Sequence, residues 1–140
     1  MEEIVRNCLG IRVGAAFRSI DRYFNRLYLP LGINHAHGQV LACLMQEGEL
    51  RMGAIAERTG LAASSVSRRV KELCRRKLVR LRKDPEDMRT QVLTLAKRGA
   101  ALREPLLAII ERANARIRRD VPEEDLIGLE RACDLMARLR

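Results

Sequence analysis

The sequence predicts a mainly α fold with one small β-hairpin. A helix-turn-helix lobe carries the hairpin, and long helices flank that lobe at both ends of the chain. Three observations lead there. Residues 4–29 and 96–119 repeat apolar side chains at steps of three and four, as amphipathic helices do. Met52 to Leu73 reads as two short helices meeting at Gly60. After them the apolar period falls to two, in a pair of runs on either side of Asp84-Pro85, which is the pattern of a hairpin.

Composition narrows the class. The chain of 140 residues suits one compact domain, or one lobe with an oligomerisation element. Its 47% hydrophobic content supports a real core, and with 3% aromatics and no Trp that core must be aliphatic. The same scarcity argues against binding single strands by base stacking. A formal charge of +9 and a pI near 10.2 point to polyanionic partners. No run of about 18 apolar residues occurs, and Glu2 and Glu3 stand where a targeting segment would be basic. A soluble, cytoplasmic protein without a membrane partner is therefore expected.

Taken in order, residues 4–29 form the first long helix. Val13, Phe17, Ile20, Phe24, Leu27 and Leu31 make its seam, and Pro30 and Gly32 end it. Such a seam is too long for a small lobe to cover, so it should meet C-terminal helices and a second copy of the chain. The next helix spans Ile33 to Gln46 and begins near Asn34 or His35, with Val40, Leu41, Leu44 and Met45 on its apolar face. Gly48 to Arg51 supplies a short strand able to pair with the hairpin.

In the helix-turn-helix, Ala56 is small enough for close crossing, and Gly60 tolerates the positive φ of a sharp turn. Val66, Val70 and Leu73 form one buried stripe on the second helix. Its other face offers Ser64, Ser65, Ser67, Arg68, Lys71 and Arg75, donors suited to phosphates and base edges. Between Arg68 and Arg89 there are ten Lys or Arg against four acids, an excess of six out of the whole chain's nine. This is the footprint of a surface that sits on DNA; an amphipathic helix with a merely solvated basic face is the bland alternative. The hairpin arms, Val79–Arg82 and Thr90–Leu95, enclose Lys83-Asp84-Pro85-Glu86-Asp87-Met88-Arg89. A basic hairpin directly after a recognition helix is a wing, able to carry an arginine into the adjacent minor groove.

Beyond the wing, Ala96 to Arg119 reads as a second long helix bearing Leu102, Leu106, Ile109, Ile110, Ala113 and Ile117, with a bend expected at Pro105. Asp120 to Pro122 breaks it. Glu123, Glu124 and Asp125 then suit a helix start, and Leu126, Leu129, Cys133, Met136 and Leu139 stripe the last helix.

Arg82-Lys83-Asp84-Pro85-Glu86-Asp87-Met88-Arg89, followed by Leu95-Ala96-Lys97-Arg98-Gly99, resembles the wing signature of the MarR family of bacterial and archaeal winged-helix regulators. Length and element order extend the resemblance over essentially the whole chain. It implies a winged helix-turn-helix lobe at 34–95 between dimerisation helices at 1–33 and 96–140. By the same resemblance Arg89 enters the minor groove, Asp87 holds it, and Arg82 and Lys83 join the DNA contacts. The chain would then be a homodimer on a palindromic double-stranded operator, a repressor released by a small-molecule effector or an oxidant. Effector pockets in the family lie between the dimerisation helices and the winged lobe, where Tyr23, Tyr28, His35 and His37 would sit. Three positions depart from the family pattern. Met88 replaces a frequent arginine, Ala96 a threonine that would cap the next helix, and Lys77 a glycine, so that a left-handed residue there would be strained.

Other chemistry is sparse. Cys8, Cys43, Cys74 and Cys133 lack metal-ligand spacing and read as small hydrophobes. By resemblance to peroxide-sensing relatives, Cys8 in the first helix, between Arg6 and Arg12, is a candidate redox residue. His35 and His37 read as exposed helix-start residues, and two apart they cannot share a helix face, so no metal is expected. No phosphate loop, nucleophile elbow or spaced carboxylate pair suggests an enzyme or a cofactor. The rival to a regulator is an architectural DNA-binding protein.

Overall fold

A computed structural model describes residues 2–139, as eight helices and a three-stranded sheet. Helices α1 (Glu2–Asn7) and α2 (Leu9–Tyr28) lead through a 3-10 turn, Leu29–Leu31, into α3 (His35–Glu47). Strand β1 (Glu49–Arg51) precedes α4 (Met52–Thr59) and α5 (Ala63–Arg75), the helix-turn-helix pair. Strands β2 (Val79–Lys83) and β3 (Gln91–Leu95) form the wing, and α6 (Lys97–Ala100), α7 (Arg103–Asp120) and α8 (Glu123–Met136) complete the described chain. The sheet is antiparallel, ordered β1-β3-β2, so β1 pairs with the wing's second arm as expected.

The core lies beneath the sheet and the helix pair. Val40, Leu41 and Leu44 of α3, Ile55 of α4, and Val66, Val70 and Leu73 of α5 are essentially inaccessible, joined by Val79, Leu93 and Leu106. Each side chain so buried contributes roughly 1.5–3 kcal/mol relative to exposure. Apart from Tyr28 the cluster is aliphatic. The α5 stripe and the α3 face are those the sequence periodicity indicates.

Three expectations about the helices need correction. The first long helix is interrupted: Cys8 takes extended angles, φ −81° and ψ 105°, and divides α1 from α2. Only the lower seam, Phe24, Leu27 and Leu31, packs on the core; Val13, Phe17 and Ile20 are exposed. The helix after the wing is also divided, by a turn at Ala101 and Leu102, so that Pro105 falls at the start of α7 and not within one continuous helix. Pro105 is the third residue of α7, within the first turn, where backbone N–H groups have no partner inside the helix. A proline there costs no helical bond.

Two departures from the family signature have structural counterparts. Ala96 does cap α6 without any side-chain bond, and its N–H instead donates to the Leu78 carbonyl at 3.0 Å. Lys77, just past α5, has φ +58°, alone among described non-glycine residues in being left-handed. Its N–H donates to Cys74 O and the Leu78 N–H to Leu73 O, closing the helix end around that conformation. Lys77→Gly should therefore raise stability by about 0.5–1 kcal/mol, the left-handed penalty less the flexibility glycine adds to the unfolded chain. A urea midpoint equal to or below the parent's would contradict this.

Candidate nucleic-acid interface

Helix α5 turns one face inward on Val66, Val70 and Leu73 and the other to solvent. Ser64, Ser67, Arg68, Lys71 and Arg75, spaced at 3, 1, 3 and 4 residues, fall on that outward face. Ser64, Arg68, Lys71 and Arg75 are exposed and Ser67 is half-buried. Ser65 lies about a quarter-turn away and is half-buried too. No side chain caps the start of α5 and no acid occupies its first turn. The positive end of the helix dipole therefore adds to the basic face.

The wing tip is built by two aspartates with different tasks. Asp84, 7% exposed, accepts the Glu86 N–H at 2.9 Å and bonds from Arg51 Nε and Nη2 at 2.9 and 2.6 Å. These bonds, the Glu86 N–H first and then Arg51, hold its carboxyl below the usual carboxylate range. Asp87 accepts the Arg89 N–H at 3.0 Å and the Thr90 hydroxyl at 2.8 Å, which likewise depress its pKa. Asp87 thus holds Arg89 through its main-chain N–H. The Arg89 side chain is left exposed beside Met88, itself 62% exposed. Lys83 is exposed at the end of β2. Arg82 donates to Glu49 across the sheet, so part of its charge is already matched within the lobe.

The model of the MarR family matches residues 31–90, the span from the turn before α3 to the end of the wing tip. Those residues belong to the MarR family. Solved structures agree in fold over nearly the whole chain. BpsR of Bordetella bronchiseptica, in a study of how 6-hydroxynicotinic acid regulates its DNA binding, superposes at TM-score 0.84 and 19% identity, covering 96% of each chain. A mutant MarR from E. coli complexed with operator DNA gives 0.82 at 19% identity, over 96% of this chain and 95% of that one. CouR from Rhodococcus jostii RHA1 bound to p-coumaroyl-CoA gives 0.81 at 21%, over 97% and 96%. At such identities the likeness is one of fold. None of the curated proteins matches the chain.

Arg51, which clasps the wing of this MarR-family lobe from β1, escaped sequence reasoning. Nothing in its neighbourhood marks it. Asp84 was legible in part, because an Asp-Pro-Glu run favours an Asp side chain accepting the N–H two residues on.

The histidines are buried, not exposed as expected. His35 stacks on Phe24 with ring centroids 4.6 Å apart, and its Nδ1 lies 2.9 Å from Asp21 Oδ1. His37 Nε2 lies 2.7 Å from Glu72 Oε2. Tyr28 is buried with its ring against Gly38, where an added Cβ would lie 2.7 Å from the ring, and Tyr23 packs edge-on to Phe24. A shallow pocket of about 270 Å³ nearby is lined by Asp21, Asn25, Leu29, Ile33, Asn34, Ala36 and Arg69. Of the four residues expected at an effector site, none lines this pocket: Tyr28, His35 and His37 are buried and Tyr23 is half-buried on α2.

Cys43 and Cys74 are half-buried against the core, and burial pushes both thiols up, away from reactivity. Cys8 and Cys133 are exposed. Among the described residues no three His, Cys, Asp or Glu side chains could hold a metal ion, and no helix is long and apolar enough to cross a membrane.

Proposed function

We propose that this chain is a dimeric, sequence-specific transcriptional regulator, binding duplex DNA with α5 in the major groove and Arg89 of the wing in the minor groove. One observation carries the reading: the solvent face of α5 and the capped wing tip together present Ser64, Ser67, Arg68, Lys71, Lys83 and Arg89, all donors and mostly cations. The family match over residues 31–90 and the MarR structure complexed with operator DNA support it. For the dimer, the support is unsatisfied apolar surface at both chain ends. Ile4, Leu9, Val13 and Phe17 in the N-terminal helices, and Ile127, Leu129, Leu135 and Leu139 in or just after α8, are all exposed. A monomer in water rarely keeps so much apolar surface open. Residues 1–33 and 96–140 are accordingly assigned to dimerisation and 34–95 to DNA.

A two-fold dimer places two reading helices on successive major grooves, roughly 34–36 Å apart, so the target is a palindrome. A small-molecule effector or an oxidant that changes this spacing by a few ångströms would mismatch both half-sites at once, which is how repression would be relieved. Footprinting on genomic fragments at near-physiological salt tests the reading. The expected result is a protected palindrome of about two helical turns. Diffuse coating that disappears with added salt, with no preferred site, would replace it by an architectural role.

A further inference from the structure

Glu72 is the sole carboxylate on α5, set among Arg68, Arg69 and Lys71. It does not join the basic face. Its Oε2 accepts from His37 Nε2 at 2.7 Å and lies 3.6 Å from Arg69 Nη1. His37 is the third residue of α3 and 7% exposed. Its backbone N–H donates to Asn34 Oδ1 at 2.9 Å, while its ring Nδ1 accepts from the Asn34 N–H at 3.5 Å, a reciprocal helix cap. A ring nitrogen facing an N–H must be bare, so the hydrogen sits on Nε2 and is donated to Glu72. The neutral ring is thereby occupied at both ends.

We infer that His37 is a positioning residue for the reading helix: its Nε2–H holds Glu72, and through it the orientation of α5 against α3, and protonation of the ring disrupts that hold and weakens DNA binding. The inference rests on the DNA-binding role proposed above. A second proton must go on Nδ1, where it would face the Asn34 N–H, donor against donor. The ring then has to turn, or the first turn of α3 has to open, and either moves Nε2 off its line to Glu72. Once loosened, Glu72 can compete for Arg68 and bring negative charge toward the phosphates. Among the charged groups around the ring, Arg69 and Arg76 oppose a new cation and only Glu72 favours it. Burial, the largest influence, tips the balance and holds His37 below the ordinary imidazole value of about 6.5. The folded arrangement therefore favours the neutral ring. Its contribution is complete above about pH 6.5 and is lost as pH falls through the folded pKa.

The test is a binding titration of a duplex enriched by the wild-type chain, at about pH 8 and about pH 5.5 and constant ionic strength. The chain has two histidines, so two variants separate their contributions. His37→Gln keeps an N–H for Glu72 at either pH, and His35→Gln removes the other ring. Wild type and His35→Gln should lose about threefold in affinity on acidification, and His37→Gln almost none. An equal loss in His37→Gln, or no loss in wild type, overturns the inference. Glu72→Gln keeps an acceptor but removes the charge that attracts the proton, so it should move the loss to lower pH; an unmoved or upward-shifted loss counts against the pairing. If wild type enriches no duplex, it is the DNA-binding reading that fails. Ring-nitrogen NMR then still decides the geometry, since a hydrogen on Nδ1 of His37 would overturn the assignment without reference to DNA.

Discussion

Gly99→Ala is expected to destabilise the chain by about 3 kcal/mol, at the upper end of what a forced overlap usually costs. Gly99 lies in α6 directly against the start of β2, and a Cβ built on it would stand 1.9 Å from the Leu78 carbonyl oxygen. That oxygen cannot easily retreat. It accepts the Ala96 N–H at 3.0 Å, while the Leu78 N–H closes the end of α5 on Leu73 O at 2.9 Å. The obstacle is main chain, with no flexible side-chain end to swing aside, so α6 must lift off the sheet. Gly128→Ala in α8 is the matched control: nothing lies within 4 Å of its Cβ, and alanine should stabilise that helix by up to about 1 kcal/mol. Paired denaturant melts measure both. A Gly99→Ala midpoint equal to the parent's would refute the close approach.

The second large effect concerns binding. Arg89→Ala should weaken affinity for an enriched duplex about ten- to a hundredfold, the range for losing one specific groove contact. Melting temperature and dimer mass should stay as in the parent, because the Arg89 side chain is exposed and its backbone N–H remains bonded to Asp87. Asp87→Ala separates the two roles. It keeps the arginine but frees the Arg89 and Thr90 groups that Asp87 holds, so it should lose part of the same affinity. If Arg89→Ala binds like the parent, the wing tip has no part in recognition.

What could be read from the sequence was whatever repeats. Val66, Val70 and Leu73 on α5, and Val40, Leu41 and Leu44 on α3, were visible because core burial imposes a helical period on the side chains. The left-handed Lys77 and the tight Gly99 were foreshadowed by a motif, since backbone demands of that kind recur at fixed offsets. Individual polar pairs were hidden. Arg51 meets Asp84 across 33 positions and His37 meets Glu72 across 35, and no local rule links residues so far apart. The histidines show the limit most plainly: polar side chains at a helix start suggested solvent, but Asp21, Asn34 and Glu72 supply the partners that let both be buried. Helix continuity was overstated for a related reason, since periodicity persists through the breaks at Cys8 and Leu102.

The pairing of β1 with β3 has a consequence for how the lobe holds together. In its register Arg51 stands opposite Val92, so everything from residue 52 to 91 is a loop whose two ends are stapled by a three-residue ladder. Both helices of the helix-turn-helix pair and the whole wing tip lie inside that loop. They are less a module attached to a scaffold than the contents of a closed ring, and the entropy of closing it is recovered only when the interior packs. Loss of the staple would release both helices and the wing as one cooperative unit. The helix pair and the wing therefore fold, and come undone, as a whole.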